Sequence, residues 1–414
     1  MPRPEQPVTE RRGSHASVPV TNAKRQPDIA IVGGGICGLT TAIALERRGL
    51  SPTVYEAASS YRPVGAGILL QTNALLVFDH LGIVESIRAA GAALDDVRIL
   101  GDDGRVLQRF DLDGVERDQF DYGYTAIHRG ELQRVLLDKL DTEVRTGREC
   151  VGVDSTDSPT VRFEDGTCID PDLVIGADGI DSTVREAIAP NVDLRSVGTT
   201  VYRAVVPRDF PAHRGARGVE VWGQGTYTGG APIDSDRCYW FATVPQQSAD
   251  WSADAEAFPD RLRAQYGDFP DPIPTLVESV DPESVISTEL EDVPALDQWF
   301  EGSVVLAGDA VHGMLPFAGQ GAAQGVEDAV SLAAALDRYD DHEAAFEAYE
   351  QERKRRADHI RAEAHWLGRA GAVESARICG VRNRLMKLLP DRLFHRLRLR
   401  RVAGTPLPDG TLRP

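Results

Sequence analysis

Apolar residues fall along this chain in three rhythms. Short unbroken runs recur at Asp28-Ile29-Ala30-Ile31-Val32, Leu173-Val174-Ile175-Gly176-Ala177 and Val304-Val305-Leu306-Ala307. Such runs, too short for helices and without alternation, suit parallel strands buried on both faces. Leu39 to Arg48 carries helix formers, Gly49 closes that helix, and Pro52-Thr53-Val54-Tyr55-Glu56 is the next strand, so 28–56 reads as a βαβ unit. Residues 72–90 and 130–140 have the helical period. The rhythm changes between about 196 and 295. Val201 to Val206, Val219 to Trp222, Tyr227 to Ile233 and Cys238 to Val244 read as strands split by Gly, Asp and Ser turns, with Asp234-Ser235-Asp236 as a hairpin turn. From about 326 to 400 the pattern is helical, broken at Leu389-Pro390.

The predicted fold is α/β. A discontinuous Rossmann-like domain spans 27–195 and 296–340, an antiparallel sheet domain of 196–295 is inserted in it, and 341–405 is helical. Residues 1–26 are polar and read as a disordered arm or an over-long start. Their Arg11-Arg12 pair has no apolar stretch behind it, which argues against an export signal.

Composition changes the picture in two ways. The net charge is −19, from 64 acidic residues against 45 Lys plus Arg. Lysine is confined to Lys24, Lys139, Lys354 and Lys387. So acidic and lysine-poor a surface suits a cytoplasm at very high salt, and it excludes nucleic acid as an expected partner. The five cysteines, Cys37, Cys150, Cys168, Cys238 and Cys379, form no CxxC pair, which points to a reducing compartment. No His spacing suits a metal, and no run reaches the roughly 18 apolar residues of a membrane span.

Three motifs carry candidate chemistry. In Gly33-Gly34-Gly35-Ile36-Cys37-Gly38, Gly33 allows the tight turn, Gly35 lets backbone approach a pyrophosphate, and Gly38 lets helix pack on strand. The helix N-terminus at Ile36 offers unpaired N–H groups to phosphates. Glu56 closes the second strand, where it can accept from a ribose diol. Cys37 is read as a packing residue. The second motif, Asp178-Gly179-Ile180-Asp181-Ser182-Thr183-Val184-Arg185, opens a helix with a Thr183/Glu186 capping box. The third, Gly308-Asp309-Ala310-Val311-His312 to Pro316 and Gly319-Gln320-Gly321, places an acid at a strand end and aims a helix N-terminus over a loop. A reduced flavin has an anionic N1–C2=O edge that such a helix end stabilises. Two widely separated grips suit one long cofactor, FAD, better than NAD.

Together these motifs resemble the class A flavoprotein monooxygenases, the p-hydroxybenzoate and salicylate hydroxylase group, over about residues 28 to 390. The resemblance implies a glutathione-reductase-like βαβ fold of the GR2 type. It implies that Gly33, Gly35, Gly38 and Glu56 bind the ADP half of FAD. Arg129, in Ile127-His128-Arg129-Gly130-Glu131-Leu132, would contact the phosphates. Asp178-Gly179 would serve FAD and NAD(P)H, Asp309 the ribityl chain, and Pro316 with Gly319 to Gly321 the isoalloxazine. Ala322-Ala323 departs from the asparagine many relatives carry there. The implied reaction is hydroxylation or epoxidation of an aromatic or unsaturated substrate through a flavin C4a-hydroperoxide, with NADH or NADPH and O₂ consumed. A prenyl-lipid reductase of the geranylgeranyl type is second, since Tyr239-Trp240-Phe241-Ala242 has the wrong spacing for its Tyr-x-Trp-x-Phe-Pro element.

Candidate substrate contacts are Tyr202, Arg203, Trp222, Tyr227, Tyr239 and Trp240, of which alternation allows about half on one face; an inserted sheet also needs a core, and packing is the favoured reading for each. Arg203 could pair a substrate carboxylate or simply a surface acid. His312 could be an acid–base group or a hydrogen-bonded structural histidine. The stretch Arg382 to Arg401 is basic, so it either docks on the protein's own acidic surface, the favoured reading, or lies on a membrane. A monomer or homodimer is expected.

Overall fold

The computed structural model describes residues 26–61, 66–154, 156–208, 217–245, 251 and 256–403, with side chains as far as residue 400. The arm expected at 1–26 lies outside the described residues apart from Gln26.

The centre is a six-stranded sheet in the order Phe300–Glu301, Val304–Leu306, Leu173–Gly176, Ile29–Val32, Thr53–Glu56, Val144–Thr146. All neighbours are parallel except the edge hairpin 300–306. Ile29–Val32 is buried along its whole length, which is why it reads as an unbroken apolar run. The chain leaves this sheet at Gly176 and re-enters with the hairpin 300–306, whose strand Val304–Leu306 pairs directly with Leu173–Gly176. That pairing places the first and third motifs, far apart in sequence, at one end of one sheet. Helix Ile36–Glu46 packs on helix Gly321–Arg338. The helical stretch expected over 72–90 is two helices, Thr72–His80 and Val84–Ala90, because Gly82 turns the chain at φ +68°.

A second, seven-stranded sheet has the order Ile286–Asp292, Arg195–Pro207, Arg237–Pro245, Tyr227–Pro232, Arg217–Trp222, Asp96–Gly101, Val106–Asp111. Its last two strands come from outside 196–295, so the expected insert is incomplete. Arg217–Trp222 would otherwise be an edge with open backbone groups, and Asp96–Gly101 covers it in parallel register. Local periodicity cannot say which distant strand does so.

Strand alternation divides this sheet cleanly. Tyr202, Trp240 and Val221 face helices Phe258–Tyr266 and Ile273–Glu278 and form a core with them. The Tyr266 hydroxyl donates to the Thr243 carbonyl at 2.6 Å. Arg203, Glu220, Trp222, Tyr227, Tyr239 and Phe241 share the opposite face by register. So Tyr202 and Trp240, both candidate substrate contacts, are core residues on the wrong side.

Helices His342–Gly371, Ala376–Leu388 and Asp391–Ala403 close the chain. The last two dock through buried contacts rather than through surface acids. His395 pairs with Glu116 at 2.7 Å, both nearly inaccessible. The Arg398 guanidinium lies 5.0 Å over the Phe110 ring.

Candidate functional site

The three glycine motifs meet. A Cβ on Gly33, where φ is +104°, would lie 2.3 Å from the Ala177 carbonyl oxygen. The first turn is thus pressed against the start of the second motif. A Cβ on Gly308 would lie 2.8 Å from Cys37 Sγ, and that thiol donates to the Gly325 carbonyl at 3.4 Å. Burial pushes the Cys37 thiol well up, with Asp328 adding to the shift, so it is a packing residue here and not a nucleophile.

Gly35 is different. Its φ is −75°, and no atom lies within 4 Å of where its Cβ would be. The backbone there lines open space at a helix N-terminus. Helix Ile36–Glu46 has neither a side-chain cap nor an acid in its first turn. The same holds for helix Gly321–Arg338. Both leave the positive end of their dipole uncompensated and their first N–H groups unspent.

Charged groups surround that space. Glu56 is fixed by two backbone donors, Gly34 N–H and Ala58 N–H, each at 2.8 Å, and each oxygen keeps a lone pair. Tyr61 donates to the Gly34 carbonyl at 3.1 Å. Arg129 is exposed at the start of helix Arg129–Leu137, and its guanidinium has no partner among the described residues. Asp309 is likewise exposed and unpartnered among them, 3.7 Å from the Cβ position of Gly321. Asp178 is differently employed. Its carboxylate accepts from Ser182 Oγ at 2.5 Å and from Val184 N–H at 3.0 Å, and burial raises its pKa against those bonds. The cap of helix Thr183–Ile188 is Ser182, accepting from Arg185 N–H at 2.9 Å, one residue before the Thr183 expected from sequence. Ser182 wins because its backbone, at φ −59° and ψ 120°, is still non-helical there, as a cap requires. Gly179, with nothing within 4 Å of its Cβ position, faces open space.

His312 is not at the site. It is 1% exposed, and its Nε2 meets Asp328 Oδ2 at 2.6 Å. Asp328 also accepts from Gly308 N–H at 2.9 Å and Arg353 Nε at 2.8 Å. Burial would raise the Asp328 carboxyl, but the His312 and Arg353 charges outweigh it and hold it low. Glu327, paired with Arg353 and Arg356, is also held low against its burial. This ion cluster sits behind the third motif and anchors its turn.

The loop from Pro316 is held from two sides. Gln71 Nε2 donates to the carbonyls of Ala318 and Gly319 at 3.0 and 3.1 Å, and Arg398 Nη2 donates to Ala318 at 2.9 Å. Pro316 is exposed and Ala322 half-buried. Phe317 reaches the second sheet, 5.3 Å from the Tyr227 ring, and Tyr227 lies 4.9 Å from Phe241. Tyr239 continues the aromatic wall 5.8 Å from Phe241. Half-buried Arg203 lies beside Tyr239 and donates to Thr288 Oγ1 at 3.3 Å. Glu220 is raised by burial, partly offset by Arg398. The Tyr227 hydroxyl and the buried Trp222 side chain on the same face also lie against Glu220 and oppose the effect of its burial.

Sequence reasoning missed Glu220, Phe241, Phe317, Gln71, Asp328, Arg353 and Arg398. Two left a signal. Glu220 is an acid inside the apolar strand Val219-Glu220-Val221-Trp222, and Glu327-Asp328 interrupts an alanine-rich helix. A charge in such a place has a buried partner or a job.

The pattern of the FAD binding domain family matches residues 26–364. Aurachin C monooxygenase/isomerase of Stigmatella aurantiaca is 36% identical over 392 residues, 92% of this chain and 98% of its own length. The chain belongs to the class A FAD-dependent monooxygenases. The 2-heptyl-3-hydroxy-4(1H)-quinolone synthase of Pseudomonas aeruginosa is 35% identical over 91% of this monooxygenase and 98% of that enzyme. Among solved structures, Klebsiella pneumoniae HpxO complexed with FAD and uric acid superposes with a TM-score of 0.83 at 25% identity, covering 92% of this chain and 97% of that one. None of these relatives is a prenyl-lipid reductase. The open cradle at Gly35, two uncapped helix ends and the free Arg129 and Asp309 fit the FAD such enzymes bind.

Proposed function

We propose that this monooxygenase uses NADH or NADPH and O₂ to hydroxylate an aromatic substrate held between the seven-stranded sheet and the 314–321 loop. The observation that carries the substrate reading is the wall of Tyr227, Tyr239, Phe241 and Phe317, whose neighbouring rings lie 4.9–5.8 Å apart. Such a wall takes a flat ring system by stacking and edge contacts. Glu220 and Trp222 Nε1 on the same face supply an acceptor and a donor to orient polar edges of that ring, with Arg203 at the far side. An alkyl-4(1H)-quinolone is the first candidate, supported by the name of the Pseudomonas relative and by the apolar lining.

Bound FAD supplies transfer of two electrons from the nicotinamide and activation of O₂. The balance is one NAD(P)H, one proton and one O₂ consumed, with one oxygen atom inserted into a C–H bond and the other leaving as water. The chain's own residues bind and position. The N–H groups at Gly35 and Ile36 with Arg129 hold the phosphates, Glu56 a ribose, and Asp309 the ribityl hydroxyls. The N-terminus of helix Gly321–Arg338, with no acid in its first turn to oppose it, would favour negative charge on a flavin bound over the loop. Gln71 and Arg398 fix the loop by engaging the carbonyls of Ala318 and Gly319. The aromatic wall excludes water.

The test is anaerobic reduction followed by oxygen uptake. The purified protein is yellow, NADH or NADPH bleaches it, and a 2-alkyl-4(1H)-quinolone stimulates O₂ consumption with a product 16 Da heavier. Bleaching without product from any aromatic tried would remove the substrate reading. Failure to bleach with either nucleotide would remove the nicotinamide.

A further inference from the structure

We propose that helices Ala376–Leu388 and Asp391–Ala403 form a docking surface for an anionic lipid membrane. Eleven large hydrophobic residues are exposed among the described residues, and seven of them lie between 378 and 397. Ile378, Val381, Leu385 and Leu388, 56–70% exposed, run at helical spacing along one outer stripe of the first helix. Leu393 and Leu397, about half exposed, do the same on the second. These residues are outward by construction. The opposite sides of both helices are occupied: Cys379 and Met386 face inward, Arg382 donates to the carbonyls of Ala370 and Gly223 at 3.0 and 3.1 Å, and His395 and Leu399 are buried.

Cations interleave with the stripes. Arg377, Arg384 and Lys387 on the first helix and Arg392, Arg396 and Arg400 on the second are all exposed, and none is paired with a described residue. Asp391 is the only acid from 376 to 400. On a body of net charge −19 this is a strong local reversal, and at ordinary salt screening confines the influence of distant acids to about 10 Å. Leucines beside arginines on an exposed helix pair match the two layers of an anionic membrane surface, headgroup phosphate above acyl chain. No helix among the described residues is long and apolar enough to cross a membrane, so contact would be at the surface.

A second copy of the chain fits less well. Face-to-face pairing would oppose six cations to six. Head-to-tail pairing would need another apolar patch, and the remaining exposed hydrophobics, Val106, Val151, Tyr339 and Trp366, are scattered along the chain.

Sedimentation of the FAD-loaded full chain with vesicles tests this. Phosphatidylglycerol/phosphatidylcholine vesicles should pellet the protein at about 0.1 M salt, and phosphatidylcholine alone at least about tenfold less well. Arg384→Glu with Lys387→Glu should lose about tenfold or more, and so should Leu385→Ser with Leu388→Ser. Both pairs should keep wild-type flavin content and melting temperature, because all four side chains are exposed. The proposal falls if wild-type protein stays in the supernatant with anionic vesicles, or if neither pair of substitutions weakens pelleting. It also falls if vesicles are ignored and the same substitutions dissociate an oligomer.

Discussion

Replacing Gly35 with alanine separates the cofactor's needs from the fold's. The backbone at Gly35 is extended, with φ −75° and ψ −174°, which any residue adopts. No protein atom lies within 4 Å of the new methyl group. Losing glycine at a helix cap costs about 0.5–1 kcal/mol, and the stiffer unfolded chain returns roughly 0.4–1 kcal/mol. The cofactor-free variant should therefore melt within a few degrees of wild type. The methyl group does, however, enter the space a pyrophosphate would fill, and a loss of about 100-fold in FAD affinity, near 2.7 kcal/mol, is expected. At FAD equal to 100 times the wild-type dissociation constant, ligand stabilisation of about 2.7 kcal/mol would fall to about 0.4 kcal/mol. Gly33→Ala is the internal contrast. Its φ is +104° and its new Cβ would lie 2.3 Å from a carbonyl oxygen, so it should lose about 1–3 kcal/mol or more with or without FAD. Flavin fluorescence titration and melting curves with and without FAD measure both. If Gly35→Ala binds FAD within about twofold of wild type, the assignment of that cradle is wrong; if the two variants behave alike, so is the reading of the turn.

Asp309→Ala should weaken FAD binding by about 1.5–3 kcal/mol, the worth of a charge-assisted bond, and leave the cofactor-free melting temperature unchanged, as read by equilibrium dialysis and calorimetry. Asp328→Asn strips Arg353 and His312 of a buried carboxylate, so urea unfolding should show a loss of about 3–5 kcal/mol. Asp328 and Glu327 are both held below their ordinary range. Their contribution is therefore complete above the unfolded carboxylate pKa near 4 and drains away as pH falls below it. Wild type should lose stability steeply below about pH 4 and Asp328→Asn less steeply. Glu220 is shifted the other way by burial, so its charged form opposes folding at neutral pH. Glu220→Gln should raise KM for the aromatic substrate without lowering the melting temperature, and an unchanged KM with a lowered melting temperature would contradict its place in the substrate wall.

The unbroken runs at 29–32, 173–176 and 304–306 announced the central sheet because strands buried on both faces have no polar positions to show. The glycine motifs were legible because tight turns and close backbone approach admit few other residues. That was enough for the fold class and the flavin. The aromatic candidates were only half readable: alternation put about half of Tyr202, Arg203, Trp222, Tyr227, Tyr239 and Trp240 on each face of the sheet, but did not say which face met the core. Pairing against helices Phe258–Tyr266 and Ile273–Glu278 decided it, sending Tyr202 and Trp240 into the core. His312 shows the same limit. Its position beside Asp309 suggested chemistry, and only the folded arrangement brought Asp328 and Arg353 behind it. The strand pair 96–111 joined a sheet whose other strands begin a hundred residues later, and Arg398 reached the flavin loop from the far end of the chain. Local pattern sets what each segment must bury; which partner buries it is a contest among distant surfaces, settled when the chain closes on itself.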